Sequence, residues 1–145
     1  DPLYLTWWAR QNGERAEFVE IADSINHAMP KYVAKRALEL IDSSITKPRV
    51  LILGVAYKPG VGDVRETPVS ELRDHLITLG AEVAWHDPFV TVWEDSKSVD
   101  LGWACDVAIL AIKQPGMNIE GLASMGIKVL DCTNSMKNLT GVTSL

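Results

Sequence analysis

Apolar positions change their period partway along the chain. In the first third, Phe18, Ile21, Ile25, Met29, Val33, Ala37 and Ile41 recur at spacings of three and four, which draws one stripe along a helix. Glu14, Glu17 and Glu20 suit the positive end of that helix, so residues 14–45 are predicted helical. Pro30 removes one backbone bond in the middle and predicts a kink. Residues 3–10 predict a shorter helix, stopped by Asn12-Gly13. About 28 residues at 1.5 Å rise would span about 42 Å. That is more than the domain behind it needs, so a partner surface is one reading. Two ordinary helices, broken at Pro30 and folded onto that domain, are the other.

From residue 48 the pattern becomes strand-like. Residues 50–56 form an unbroken apolar run, as in a parallel strand covered on both faces. A glycine-rich loop follows, and Thr67-Pro68 reads as a helix cap with proline at the first helical position. Val69, Leu72, Leu76 and Leu79 make the helix stripe, closed by Gly80. Residues 81–85 predict a second strand ended by His86-Asp87-Pro88, residues 107–112 a third, and residues 127–130 a fourth. This alternation predicts an α/β fold, a doubly wound, Rossmann-like parallel sheet with an N-terminal helical extension. The expected organisation is a helical segment over residues 1–47 and an α/β domain over residues 48–145.

The formal net charge of −5, with no cluster of Lys and Arg, argues against nucleic acid as a partner. The apolar run is too short to span a bilayer, so no membrane partner is expected. Cys105 and Cys132 each adjoin an apolar run and read as buried free thiols in a reducing, cytoplasmic compartment. Neither shares ligand spacing with His27, His75 or His86, so no metal site is expected. The five tryptophans, Trp7, Trp8, Trp85, Trp93 and Trp103, read as core or interdomain packing, and His86 as a structural hydrogen-bonding residue. The chain opens on Asp1-Pro2, with neither an initiator Met nor a signal peptide, and reads as a fragment or processed product.

The candidate chemistry lies in residues 54–68, Gly-Val-Ala-Tyr-Lys-Pro-Gly-Val-Gly-Asp-Val-Arg-Glu-Thr-Pro. In open α/β sheets ligands bind beyond the carboxyl ends of strands, where this loop would sit. Its glycines let backbone approach a ligand, Lys58 and Arg65 bring positive charge, and the helix N-terminus after Thr67 offers N–H groups. Together these suit a diphosphate. The loop is neither a P-loop nor a complete dinucleotide fingerprint. The competing reading is a glycine-rich turn whose Lys and Arg are solvated or paired with Asp63 and Glu66.

The same stretch, with Leu72, Gly80-Ala81 and His86-Asp87-Pro88, resembles the UDP-binding C-terminal domain of the UDP-glucose/GDP-mannose dehydrogenase family. Residues 1–7 resemble the segment after that family's catalytic cysteine. Residues 25–33 resemble its central helix, in the form common among UDP-N-acetylhexosamine dehydrogenases. The resemblance implies an NAD-dependent oxidation of the C6 alcohol of a UDP-hexose to the acid, through covalent capture by a cysteine. That cysteine would precede Asp1, so this segment alone would be inactive. Carried over residue by residue, Asp1 would be a catalytic carboxylate. Tyr57 and Lys58 would contact the UDP-sugar, and Arg65 would reach NAD. A homodimer through the helix of residues 14–45 is also implied. The family often places Arg where Thr133 stands here. Thr offers one hydroxyl in place of a charged planar fork. A catalytically silent nucleotide-sugar-binding or dimerisation module is the alternative.

Overall fold

A computed structural model of the chain describes residues 2–136 and 139–145. Helices α1 (Pro2–Gln11) and α2 (Glu17–Glu39) precede strand β1 (Arg49–Leu53), helix α3 (Val69–Thr78) and strand β2 (Glu82–His86). A hairpin of β3 (Val92–Trp93) and β4 (Ser96–Lys97) follows, then β5 (Val107–Leu110), α4 (Glu120–Ser124), β6 (Lys128–Asp131) and β7 (Val142–Ser144). The main sheet has five strands in the order β2-β1-β5-β6-β7, each pair parallel. Counting only these five strands, the order is 2-1-3-4-5, which is one of the common doubly wound arrangements.

Alternate strand residues serve opposite faces. Val50, Ile52, Val107, Ile109 and Leu130 pack with α2 and α3, whereas Leu51, Leu53, Ala108, Leu110 and Val129 pack with Leu122 of α4 and with Met117, Ile119 and Met136. Both faces are dry, which explains the unbroken apolar runs. Full burial of one such Leu or Ile contributes roughly 1.5–3 kcal/mol.

Helix α2 is shorter than residues 14–45. At its start Glu20 accepts hydrogen bonds from Arg10 and Arg15, linking the end of α1 to the start of α2. At its end Asp42 Oδ1 accepts the Ser44 N–H, making a turn, and Lys128 Nζ donates to the Leu40 carbonyl. The helix passes through Pro30 without breaking into two. Its stripe divides there. Val33, Ala34 and Ala37 are buried against the domain, whereas Phe18, Ile21 and Ile25 are exposed. Strand β7 and the β3–β4 hairpin lie beyond the four strands predicted.

The tryptophans divide as well. Trp85 and Trp93 meet edge to face in the core, and Arg49 stacks on Trp103. Trp7 and Trp8 of α1 are exposed. His86 Nδ1 lies 2.7 Å from the Val99 carbonyl. Among the described residues no group of acidic, His and Cys side chains could hold a metal, and no helix is long and apolar enough to cross a membrane.

Candidate functional site

The strand order reverses between β1 and β5, and the loops leaving their carboxyl ends meet there. The loop after β1 starts at Gly54, whose N–H donates to the His86 carbonyl. Gly54 has φ +81°, and a Cβ there would lie 2.1 Å from the Ile112 carbonyl oxygen. A Cβ on Gly62 would lie 2.3 Å from the Phe89 carbonyl oxygen. The close approach these two glycines permit is therefore to neighbouring loops of the chain itself. Gly60, at φ +78° with open space around it, serves the turn.

Two buried polar side chains tie these loops together. Asp87 follows β2 and is 2% exposed; its Oδ2 accepts the N–H groups of Val55 and Ala56 at 2.9 and 3.2 Å. Its Oδ1 accepts the Phe89 N–H. Gln114, in the loop after β5, is 1% exposed; its Oε1 accepts the Gly60 N–H at 2.7 Å. Gln114 Nε2 donates to the Val61 carbonyl and to Asp87 Oδ2, each at 3.2 Å. Neither residue was singled out from the sequence as part of the site.

Above this anchor the turn is open to solvent. It closes on itself through the Tyr57 N–H, which donates to the Asp63 carbonyl at 2.7 Å. Tyr57 is 59% exposed. Lys58 is exposed and, among the described residues, forms no ion pair, while Asp63 feels its charge at longer range. Arg65 lies on the same loop but folds back. Its Nε and Nη2 donate to the two carboxylate oxygens of Asp63 at 2.9 and 2.7 Å. Those side-chain bonds, with a further one from the Arg65 backbone N–H, hold the Asp63 carboxyl well below the usual carboxylate range. Glu66 takes no such bond and has a left-handed backbone, φ +55°. Of the cations predicted, Lys58 is thus free for an incoming anion, and Arg65 is shared with Asp63. Asp1 lies outside the described residues.

Thr67 takes N–H groups at the start of the following helix that the sequence offered to a ligand. Helix α3 begins at Val69, and Thr67 already accepts its first N–H groups, with the hydroxyl taking Val69 at 3.4 Å and the carbonyl taking Ser70 at 3.3 Å. A cleft of about 430 Å³ beside it is lined by Asn26, His27, Glu66 and Glu71, with no Lys or Arg. Its charge does not suit a pyrophosphate, which leaves the turn of residues 57–63 as the anion-binding candidate.

Both cysteines are half-buried free thiols. Burial, assisted by the charge of Asp106, pushes the Cys105 thiol up to about 11. Burial and Asp131 push Cys132 up to about 12. After β6, Thr133 turns inward. Its hydroxyl donates to Asp131 Oδ1 at 2.7 Å, and the Met136 N–H donates to Oδ2. Burial alone would raise the Asp131 carboxyl, but these hydrogen bonds outweigh it and leave it lowered.

A UDP-N-acetyl-D-mannosamine dehydrogenase of Methanococcus aeolicus is 37% identical over 89 residues, 61% of this chain and 20% of that protein. A UDP-glucose 6-dehydrogenase of Haloferax volcanii is 29% identical over 100 residues, covering 69% of this chain and 23% of the relative. The chain thus spans about a fifth of the curated relatives it matches. The solved structure of a UDP-glucose dehydrogenase from Pyrobaculum islandicum aligns with 99% of this chain and 34% of its own, with a TM-score of 0.79 at 23% identity, a likeness of fold. The model of the UDP binding domain of the UDP-glucose/GDP-mannose dehydrogenase family matches residues 51–130, a segment that contains the whole turn with its anchors Asp87 and Gln114, and the chain belongs to that family.

Proposed function

We propose that this chain is the nucleotide-sugar-binding part of an NAD-dependent UDP-sugar 6-dehydrogenase. One observation carries the reading. The turn of residues 57–63 stands exposed at the switch point, inside the segment that the UDP-binding model matches, with Lys58 unpaired among the described residues and Tyr57 beside it. Lys58 supplies charge for the diphosphate, and the Tyr57 ring supplies an apolar surface for the rest of the ligand. The relatives' names favour UDP-glucose or a UDP-N-acetylhexosamine as the sugar nucleotide.

Oxidation at C6 needs an activated thiol and a hydride acceptor. Cys105 and Cys132 pack against the core, where burial raises their thiols, and we do not assign that role to them. We assign the thiol to polypeptide preceding Asp1, with Asp1 as the carboxylate next to the reacting carbon. NAD, bound chiefly by a further domain, would accept the hydrides. Arg65 suits its phosphates, because it is exposed at the loop rim and its Nη1 makes no bond among the described residues. The free thiols fit a reducing, cytoplasmic setting. The exposed stripe of α2, with Leu3, Tyr4 and Trp7 of α1, is assigned to a homodimer contact.

Calorimetry with UDP tests the binding role. Lys58→Ala is expected to weaken binding about tenfold, the loss of one charge-assisted contact. Equal heats for the two proteins would remove Lys58 from the site. The chain alone is expected to reduce no NAD with any UDP-sugar, whereas the protein with its upstream cysteine is expected to do so. A full-length protein silent across a panel of UDP- and GDP-sugars would end the enzyme reading.

A further inference from the structure

We infer that Gln114 is a positioning residue for the nucleotide diphosphate, holding the 57–63 turn in the shape that receives it; this rests on the reading proposed above. A buried primary amide is costly unless its polar atoms are paired. Here Oε1 takes one turn N–H, that of Gly60, and Nε2 gives its two protons to the next turn residue's carbonyl, that of Val61, and to Asp87. The partners lie 54, 53 and 27 residues away in sequence, so the amide joins three separate loops. Neither helix nor sheet pairs these two groups of the turn. Gly60 at positive φ has no side chain to brace it, so the contact from below sets the path of the exposed backbone between Lys58 and Asp63. An apolar residue of the same volume would fill the space and leave the turn unfixed. Gln114 itself, being 1% exposed, touches no ligand and acts through the turn.

The test is UDP-glucose affinity against pH for the wild-type chain, Gln114→Glu and Gln114→Met, with amide hydrogen exchange at Gly60. UDP-glucose is chosen because each of its phosphates carries one ester and one anhydride bond and keeps only a strongly acidic oxygen, so neither titrates near neutrality. A glutamate at this position, when protonated, still accepts from Gly60 and donates to Asp87 or Val61. When ionised, it repels both of those oxygens. Its pKa is raised by burial, so Gln114→Glu is expected to bind like wild type at about pH 5 and roughly tenfold more weakly at about pH 8. The wild-type affinity is expected to stay flat over that range. Gln114→Met, which keeps the volume, is expected to bind weakly at every pH and to exchange the Gly60 amide faster, with the strand amides unchanged. A pH-independent affinity for Gln114→Glu equal to wild type would overturn the positioning role, as would unaltered Gly60 exchange in Gln114→Met. Failure of the wild-type chain to bind UDP-glucose would instead overturn the nucleotide reading on which the inference rests.

Discussion

The two halves of α2 carry the same apolar stripe and meet opposite fates. After Pro30, Val33, Ala34 and Ala37 are sealed under the domain, packed with α3 and the sheet. Before it, Phe18 is 85% exposed and Ile21 and Ile25 more than half exposed. Spacing shows that a helix has an apolar face but does not say what covers it. The second half is covered by this chain's own core. The first half leaves its apolar face exposed, beside that of α1.

The sharpest way to break this contrast is to place a charge in each half. Ala37→Asp puts an unpaired carboxylate where exposure is zero, and it should lower unfolding free energy by more than about 3 kcal/mol in urea. A small effect would mean that the C-terminal half is loosely docked. Val33→Ala, which trims the same interface without charge, should cost about 2 kcal/mol, read from the same denaturation midpoints. Phe18→Asp should leave the monomer's stability within about 0.5 kcal/mol of wild type. Its effect should appear in sedimentation, as loss of self-association. A wild-type chain strictly monomeric at high concentration would show that the first half needs a different cover.

The smallest effect concerns the joint between α1 and α2. Hydrogen bonds from Arg15 and then Arg10 hold the Glu20 carboxyl below its usual range. With a depressed folded value, its contribution is present above the unfolded value of about 4.3 and is lost as pH falls through the folded value. Glu20→Gln should erase that part of the acid dependence of Tm and weaken the salt dependence of the α1–α2 docking. Identical acid profiles would mean that the ion pairs do not hold the joint.

Much of the fold was legible because both faces of the sheet are buried. The stretches at residues 50–56, 107–112 and 127–130 read as strands between layers, and each overlaps a strand of the sheet. What escaped was short or locally unmarked. Strand β7 has three residues, too few to show a period. The β3–β4 hairpin turns at Glu94 and Asp95, both at positive φ, without the Asn-Gly or Asp-Gly that usually marks such a turn. The site was legible as a loop and not as an assembly. Tyr57, Lys58 and Arg65 are contiguous enough to read together, and the Asp63 partnership of Arg65 spans two residues. Asp87 read as a strand stop and as part of the family resemblance, with no role of its own, and a single Gln before Pro115 carries no spacing at all. Their role comes from partners more than 25 residues away, which only the folded topology brings near.

The most direct test of the account is an amide NMR titration of the chain with UDP. Shifts are expected at residues 55–63 and around Lys113 and Gln114, with α1 and the exposed half of α2 unmoved. Shifts centred instead on Asn26, His27 and Glu71, or none at saturating UDP, would contradict it.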